Sequence, residues 1–204
     1  MEFSAYADWA IALANSGREP GLPDPLDSVE GLTAFLGQLT HGCHHASRSD
    51  LVPLRRLRED LRAVFEARTP RLAADRLNQI LGACEFAPHI AYGPKQGWHL
   101  HPAPDRARTW RWPAAACGLG LAYLLMDYGP ARLGVCAAPG CGKVFLDRSR
   151  PGTRRFCSPR CANRVHASTV RRRRRSAPRQ TSTDPAQRAR PASVLACPVD
   201  SGSS

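Results

Sequence analysis

Lysine is nearly absent from this chain of 204 residues: Lys95 and Lys143 are the only two, and every other basic side chain is arginine or histidine. A GC-rich genome produces the same bias, so the preference itself says little about function. Long apolar runs are also missing. The longest uncharged apolar stretch, Trp112 to Met126, has fifteen residues and contains Pro113 and two glycines. A membrane-spanning helix needs about 20 apolar residues. The N-terminal segment has Glu2 and Asp8 where an export signal carries positive charge. A cytoplasmic protein is therefore expected. In a reducing compartment, eight cysteines point to metal ligands or free thiols rather than disulfides.

Acidic residues are scarce in one region only. The net charge is +12 overall, yet residues 1–131 hold 13 basic and 14 acidic side chains, while residues 132–204 hold 16 and 3. All the excess charge sits in the last third. This argues for a neutral folded module followed by a basic one. The expected division is a helical module over 1–131, a zinc finger with a basic helix over 132–175 and a disordered tail over 176–204. The tail has four prolines and no aromatic residue, too little apolar area to fold.

Apolar spacing predicts a helix over 1–16, a Gly/Pro-rich loop over 17–27, and a short helix carrying Val29, Leu32, Phe35, Leu36 and Leu39. Residues 41–50 read as a polar loop. Leu51, Leu54, Leu57, Leu61, Val64 and Phe65 form one face of a helix over 51–67, with Arg62 among the residues mostly off that face. A helix over 71–82 follows. HIAY and WHLH flanking GPKQG predict a hairpin over 88–101. A helix from about Trp112 to Tyr128 packs through Leu119, Tyr123, Leu124 and Met126. The fold class expected is mainly α (α+β). An apolar cleft is expected between the 51–67 helix, the hairpin and the 112–128 helix, lined by Trp98, Trp110 and Trp112.

Cys136, Cys141, Cys157 and Cys161 stand as C-x4-C, fifteen residues, C-x3-C. Two close pairs from separated pieces of chain suit a tetrahedral zinc ion, and four protein thiolates leave no open position for chemistry. Pro139-Gly140 turns the chain between the first pair. Residues 143–146 are expected to pair as a hairpin with 154–156. Ser158-Pro159 reads as a helix start, with Cys161 in the first turn. Together these make a treble-clef-like finger. His166 is an alternative fourth ligand. His41, Cys43, His44 and His45 are a weaker second cluster. Cys84 and Cys117 read as core residues.

The pieces CAAPGC, FLDRS at 145–149, RRFCS at 154–158 and CANR at 161–164 resemble the CGNR-type zinc fingers of bacterial proteins proposed to regulate transcription. Ala162 stands where that family has glycine, and the second cysteine pair is one residue closer. Upstream, ALANS at 12–16, LRRLREDLRAVFEA at 54–67 and LNQIL at 77–81 resemble, more loosely, that family's partner domain, ABATE, proposed to sense a ligand. The resemblance implies DNA binding by the finger and a nucleoid-associated location.

Between Arg132 and Arg175 there are 13 basic residues and one acid, Asp147, a density that attracts a polyanion. Asn163 and Arg164, on a helix leaving the cysteine knuckle, are candidates for base edges, and Arg160 beside them is a candidate nucleic-acid contact. The alternative roles are structural, with Asn163 bonding the knuckle backbone and Arg164 pairing with Asp147. The run Arg171, Arg172, Arg173, Arg174 and Arg175 suits phosphates without sequence preference. The function expected is a zinc-dependent DNA-binding transcription regulator whose N-terminal module senses a ligand or mediates assembly. An RNA-binding or protein-interaction module is the alternative. An enzyme is not expected: residues 142–156 lack the histidine base of treble-clef nucleases.

Overall fold

The structure is a computed structural model that describes residues 3–39, 46–84, 86–94, 97–104 and 110–176. The His41–His45 cluster and the tail beyond residue 176 lie outside the described residues. Residues to Ser168 form one compact unit, and Thr169 onward belongs to a second.

The element order is α1 (Phe3–Asn15), α2 (Val29–Leu39), α3 (Arg48–Phe65), α4 (Pro70–Ala83), β1 (His89–Gly93), β2 (Gly97–His101), α5 (Arg111–Tyr128), β3 (Leu133–Val135), β4 (Val144–Leu146) and α6 (Pro159–Ser176). The class is mainly α, with two small antiparallel hairpins, β1–β2 and β3–β4. No helix among the described residues is long and apolar enough to cross a membrane.

The core explains why the helices stop and start where they do. α3 begins three residues earlier than the apolar stripe suggests. Asp50, itself buried, accepts from the Ser47 backbone N–H at 2.9 Å and from its hydroxyl at 2.6 Å. This satisfies a donor that an uncapped helix leaves open. Thr69 caps α4 in the ordinary way, its hydroxyl accepting from Leu72 N–H. The Gly/Pro-rich loop is fastened to α3 by Arg58, which donates to Asp24 at 2.6 Å, and by Arg55, which donates to the Leu26 carbonyl.

α5 has almost no amphipathic character because it is covered on most sides. Its first half is small and buried: Pro113, Ala114, Ala115, Ala116, Cys117, Gly118 and Gly120. Small residues let α1 and α4 come close. A Cβ on Gly120 would lie 2.3 Å from the Ala7 backbone nitrogen, so only glycine fits where α1 crosses. Met126, expected to pack, is 79% exposed, since this last turn passes beyond its neighbours. Trp112 packs beside Tyr6 and Trp9.

The expected pairing of 143–146 with 154–156 does not form. β4 pairs instead with β3, with Val135 opposite Val144 and Leu133 opposite Leu146. The first cysteine pair therefore lies in the connection of this hairpin. Residues 154–156 are held otherwise, by Asp147 accepting from Arg154 N–H at 2.8 Å and by Ala137 N–H donating to the Arg155 carbonyl.

Candidate metal centre and its anchorage

Four sulfur atoms meet between the β3–β4 connection and the start of α6. The Sγ atoms of Cys136, Cys141, Cys157 and Cys161 all lie within 4.8 Å of one another. The separations Cys141–Cys157, Cys157–Cys161 and Cys161–Cys141 are 3.6, 3.7 and 3.7 Å. A tetrahedral zinc with Zn–S bonds of about 2.3 Å needs S···S edges of about 3.8 Å, so the donor set fits that ion. His166 does not join it: its ring stands edge-on to Phe156, centroids 6.3 Å apart.

Local chemistry builds the cage. Gly140 and Gly142 adopt φ of 72° and 59°, a left-handed conformation that lets the chain turn around Cys141. Cys161 N–H donates to Ser158 Oγ at 3.3 Å, and Pro159 opens α6, as the Ser-Pro pair predicts. Cys157 N–H points at Cys136 Sγ, 3.3 Å away. Burial works to raise the Cys136 thiol, but N–H groups of Cys157 and Ala138 and the neighbouring thiols outweigh it and bring it down to about 7. Burial and the adjoining sulfurs push Cys157 up to about 12. A bound cation displaces these protons.

The cage has little core of its own: Cys136, Ala138 and Phe145 are buried together. Its strand leans on the helices, where Val144 and Leu146 join the large apolar cluster of α1, α3, α4 and α5. Two polar side chains fix the register. Asn15 at the end of α1 acts as a surrogate strand residue, its Nδ2 donating to the Val144 carbonyl at 2.9 Å and its Oδ1 accepting from Val144 N–H at 2.8 Å. Arg62, 5% exposed, donates to the Ala14 carbonyl at 3.1 Å, the Gly142 carbonyl at 2.9 Å and Glu66 at 3.3 Å. Its burial draws its pKa down, and three oxygens keep the guanidinium satisfied. Lys143–Glu19 and Arg148–Asp8 ion pairs flank the junction.

The remaining expected site residues are placed as follows. Arg160, Asn163 and Arg164 are exposed near the start of α6. Arg164 donates to the Pro139 carbonyl at 3.0 Å, bracing the knuckle, and does not pair with Asp147. That carboxylate is taken by Ser149, through its hydroxyl at 2.5 Å and N–H at 2.8 Å, and by Arg154 N–H. In the second unit Arg171, Arg172 and Arg173 are exposed, and the helix continues through Arg174 and Arg175. Cys84 and Cys117 are buried core thiols.

A pocket of about 540 Å³ opens between α3, α4 and the start of α5. Leu57, Ala63, Ile80 and Ala114 line it along with Trp110, and Arg56, Asp60 and Arg76 add charge. Of the three tryptophans expected to line a cleft, only Trp110 does so. Trp98 is 76% exposed, and α4 takes the wall assigned to the hairpin. Sequence reading missed Asn15 and Arg62 altogether. Each is polar at the edge of an apolar stripe, and nothing local marks either as reaching a segment more than 75 residues away.

No match to a curated protein is found. Residues 132–174 match the model of the CGNR zinc finger, and residues 7–128 match that of ABATE, described as "Putative stress-induced transcription regulator". With the larger match spanning more than half of its length, the chain belongs to the ABATE family and carries a CGNR zinc finger behind that module.

Proposed function

We propose that this protein is a zinc-dependent, DNA-binding transcription regulator without catalytic activity, and that its N-terminal module binds a small ligand in the α3–α4–α5 pocket. One observation carries the reading: the four-thiol cage stands at the start of a helix rich in arginine, in a segment with 13 basic side chains and one acid. A cage closed by four protein sulfurs supports a structural ion, and the arginines that follow it in the chain supply charge for a polyanion. Arg171, Arg172, Arg173, Arg174 and Arg175 neutralise phosphates. Asn163 and Arg160, exposed near the start of α6, face bases, while Arg164 orients the knuckle through Pro139. The pocket supports a ligand with an apolar body and a charged end, since Arg56, Asp60 and Arg76 surround a floor of Leu57, Ile80 and Ala114.

The test is selection from random duplex DNA with a parallel RNA pool, using zinc-loaded protein. A defined duplex motif is expected. If about five phosphates are neutralised, log K falls with log salt at a slope near −4.5. Replacing all five arginines of 171–175 with alanine weakens every sequence alike and flattens that slope. Enrichment of RNA alone, or salt-independent binding, rejects the DNA reading.

A further inference from the structure

The β1–β2 hairpin is amphipathic in the wrong sense. Its register pairs His89 with His101, Ile90 with Leu100, Ala91 with His99 and Tyr92 with Trp98. One face therefore carries His89, His99 and His101, and the other Ile90, Tyr92, Trp98 and Leu100. Apolar faces ordinarily turn inward, and a slip of one residue would invert this hairpin. Here Ile90, Tyr92 and Trp98 are 70%, 67% and 76% exposed, while His99 and His101 are half-buried. The hairpin is held in this sense by the Tyr6 hydroxyl, which donates to the Leu100 carbonyl at 2.9 Å. Pro102 and Ala103 are buried immediately after it.

The half-buried face brings imidazole nitrogens together. His99 Nδ1 lies 2.9 Å from the Gly97 carbonyl. A carbonyl only accepts, so that nitrogen carries the hydrogen, and the lone pair of neutral His99 is on Nε2. His99 Nε2 faces His101 Nε2 at 2.9 Å. The His89 ring lies against His101, centroids 5.1 Å apart. Histidine ligands commonly donate the non-ligating N–H to a backbone carbonyl, which fixes tautomer and ring orientation. Two nitrogens bound at right angles, with bonds of about 2.0–2.1 Å, are separated by about 2.9 Å; tetrahedral ligands would be about 3.4 Å apart. The observed spacing is that of an N–H···N hydrogen bond, and it also lets the two nitrogens take adjacent corners of a square or octahedron, the geometry of Ni²⁺ and Cu²⁺.

We propose that His99 and His101 form a second metal site, distinct from the cysteine cage, that takes a divalent transition ion of the nickel or copper type, with exposed His89 rotating in as third ligand. In the metal-free protein the His101 Nε2–H closes the contact with His99 Nε2, and the ion takes its place. The site is built on paired strands, so its two primary ligands need no folding step to meet.

The experiment titrates Ni²⁺ into the full chain, already saturated with zinc, by calorimetry with elemental analysis after desalting. One equivalent of nickel beyond the cage zinc is expected. In the His99→Ala, His101→Ala double variant that equivalent is lost and the zinc stays. His89→Gln, at an exposed position, weakens nickel by at least tenfold. Paramagnetic broadening of the His99 and His101 ring protons by Cu²⁺, which has an unpaired electron in either geometry, provides a readout in the unaltered protein that needs no variant. Nickel bound undiminished by the double variant, or Cu²⁺ bound without broadening those ring signals, places the ion elsewhere and overturns the proposal, as does binding of no extra equivalent.

Discussion

The helical module and the cysteine finger are stabilised in opposite ways. The first buries a continuous set of leucines and alanines from α1 to α5, with Leu13, Leu32, Leu54, Leu61 and Leu121 at 0–1% exposure. The second buries Cys136, Ala138 and Phe145 and depends on sulfur chemistry. Area removed from water accounts for the larger region at about 25 cal/mol per Å². The smaller one needs an ion or a neighbour, as domains below about 40 residues usually do. The four thiols offer a site for the ion, and the neighbour is present, because Val144 and Leu146 are shared with the helices.

The largest effect that separates the two is loss of the ion. Cys157→Ser should remove bound zinc and unfold the finger, on the scale of about 10 kcal/mol known for zinc-finger peptides. Zinc content and circular dichroism check it, and the helices should persist with a lowered melting temperature. Gly120→Ala is the reciprocal experiment. The new methyl meets the α1 backbone, which has no flexible end to move, so a loss of about 3 kcal/mol or more is expected. It should lower the melting of the helices while leaving zinc stoichiometry at one.

A third substitution blurs the contrast. Arg62→Ala leaves the Ala14 and Gly142 carbonyls without their charged donor, a cost of about 2–3 kcal/mol. It should lower melting of the helices and hasten zinc loss to a chelator together. A change in only one of these would mean that the two regions are energetically separate.

The smallest effect concerns pH. Hydrogen bonds from Ser149 and Arg154 hold the Asp147 carboxyl below its usual value. Its folded pKa is depressed, so its contribution is present above the unfolded pKa and lost as pH falls through the folded one. Acid release of the cage ion lowers finger melting in the same window, so the readout is a difference: Asp147→Asn should make that melting less steeply dependent on pH than in the unaltered protein.

Much of this was legible in the chain and some was not, for identifiable reasons. α3 declares itself because six apolar residues repeat at helical spacing. The cage declares itself because thiols at C-x4-C and C-x3-C have the paired spacing of zinc ligands. The start of α3 was hidden by the polar look of residues 46–50, although Ser47 and Asp50 carry a capping signal. The strand partner of β4 is not legible because turn residues at 150–152 suggest a hairpin, whereas Asp147 occupies the returning backbone with its side chain. Periodicity places Arg62 mostly off the apolar face because it reports only the helix that Arg62 belongs to. Burial by a segment eighty residues later is a property of tertiary packing alone.

The bidentate grip of Asn15 on Val144 has a consequence for how such proteins diversify. An amide that satisfies both backbone groups of one residue works as a key cut for a single lock. A finger transplanted onto another helical module, without an asparagine at the end of the first helix and an arginine at the position of Arg62, would lose its seat along with its register. Recombination between relatives is then expected to exchange the two modules as a matched set, with the short connection at 129–131 a poor crossover point despite its turn-rich sequence.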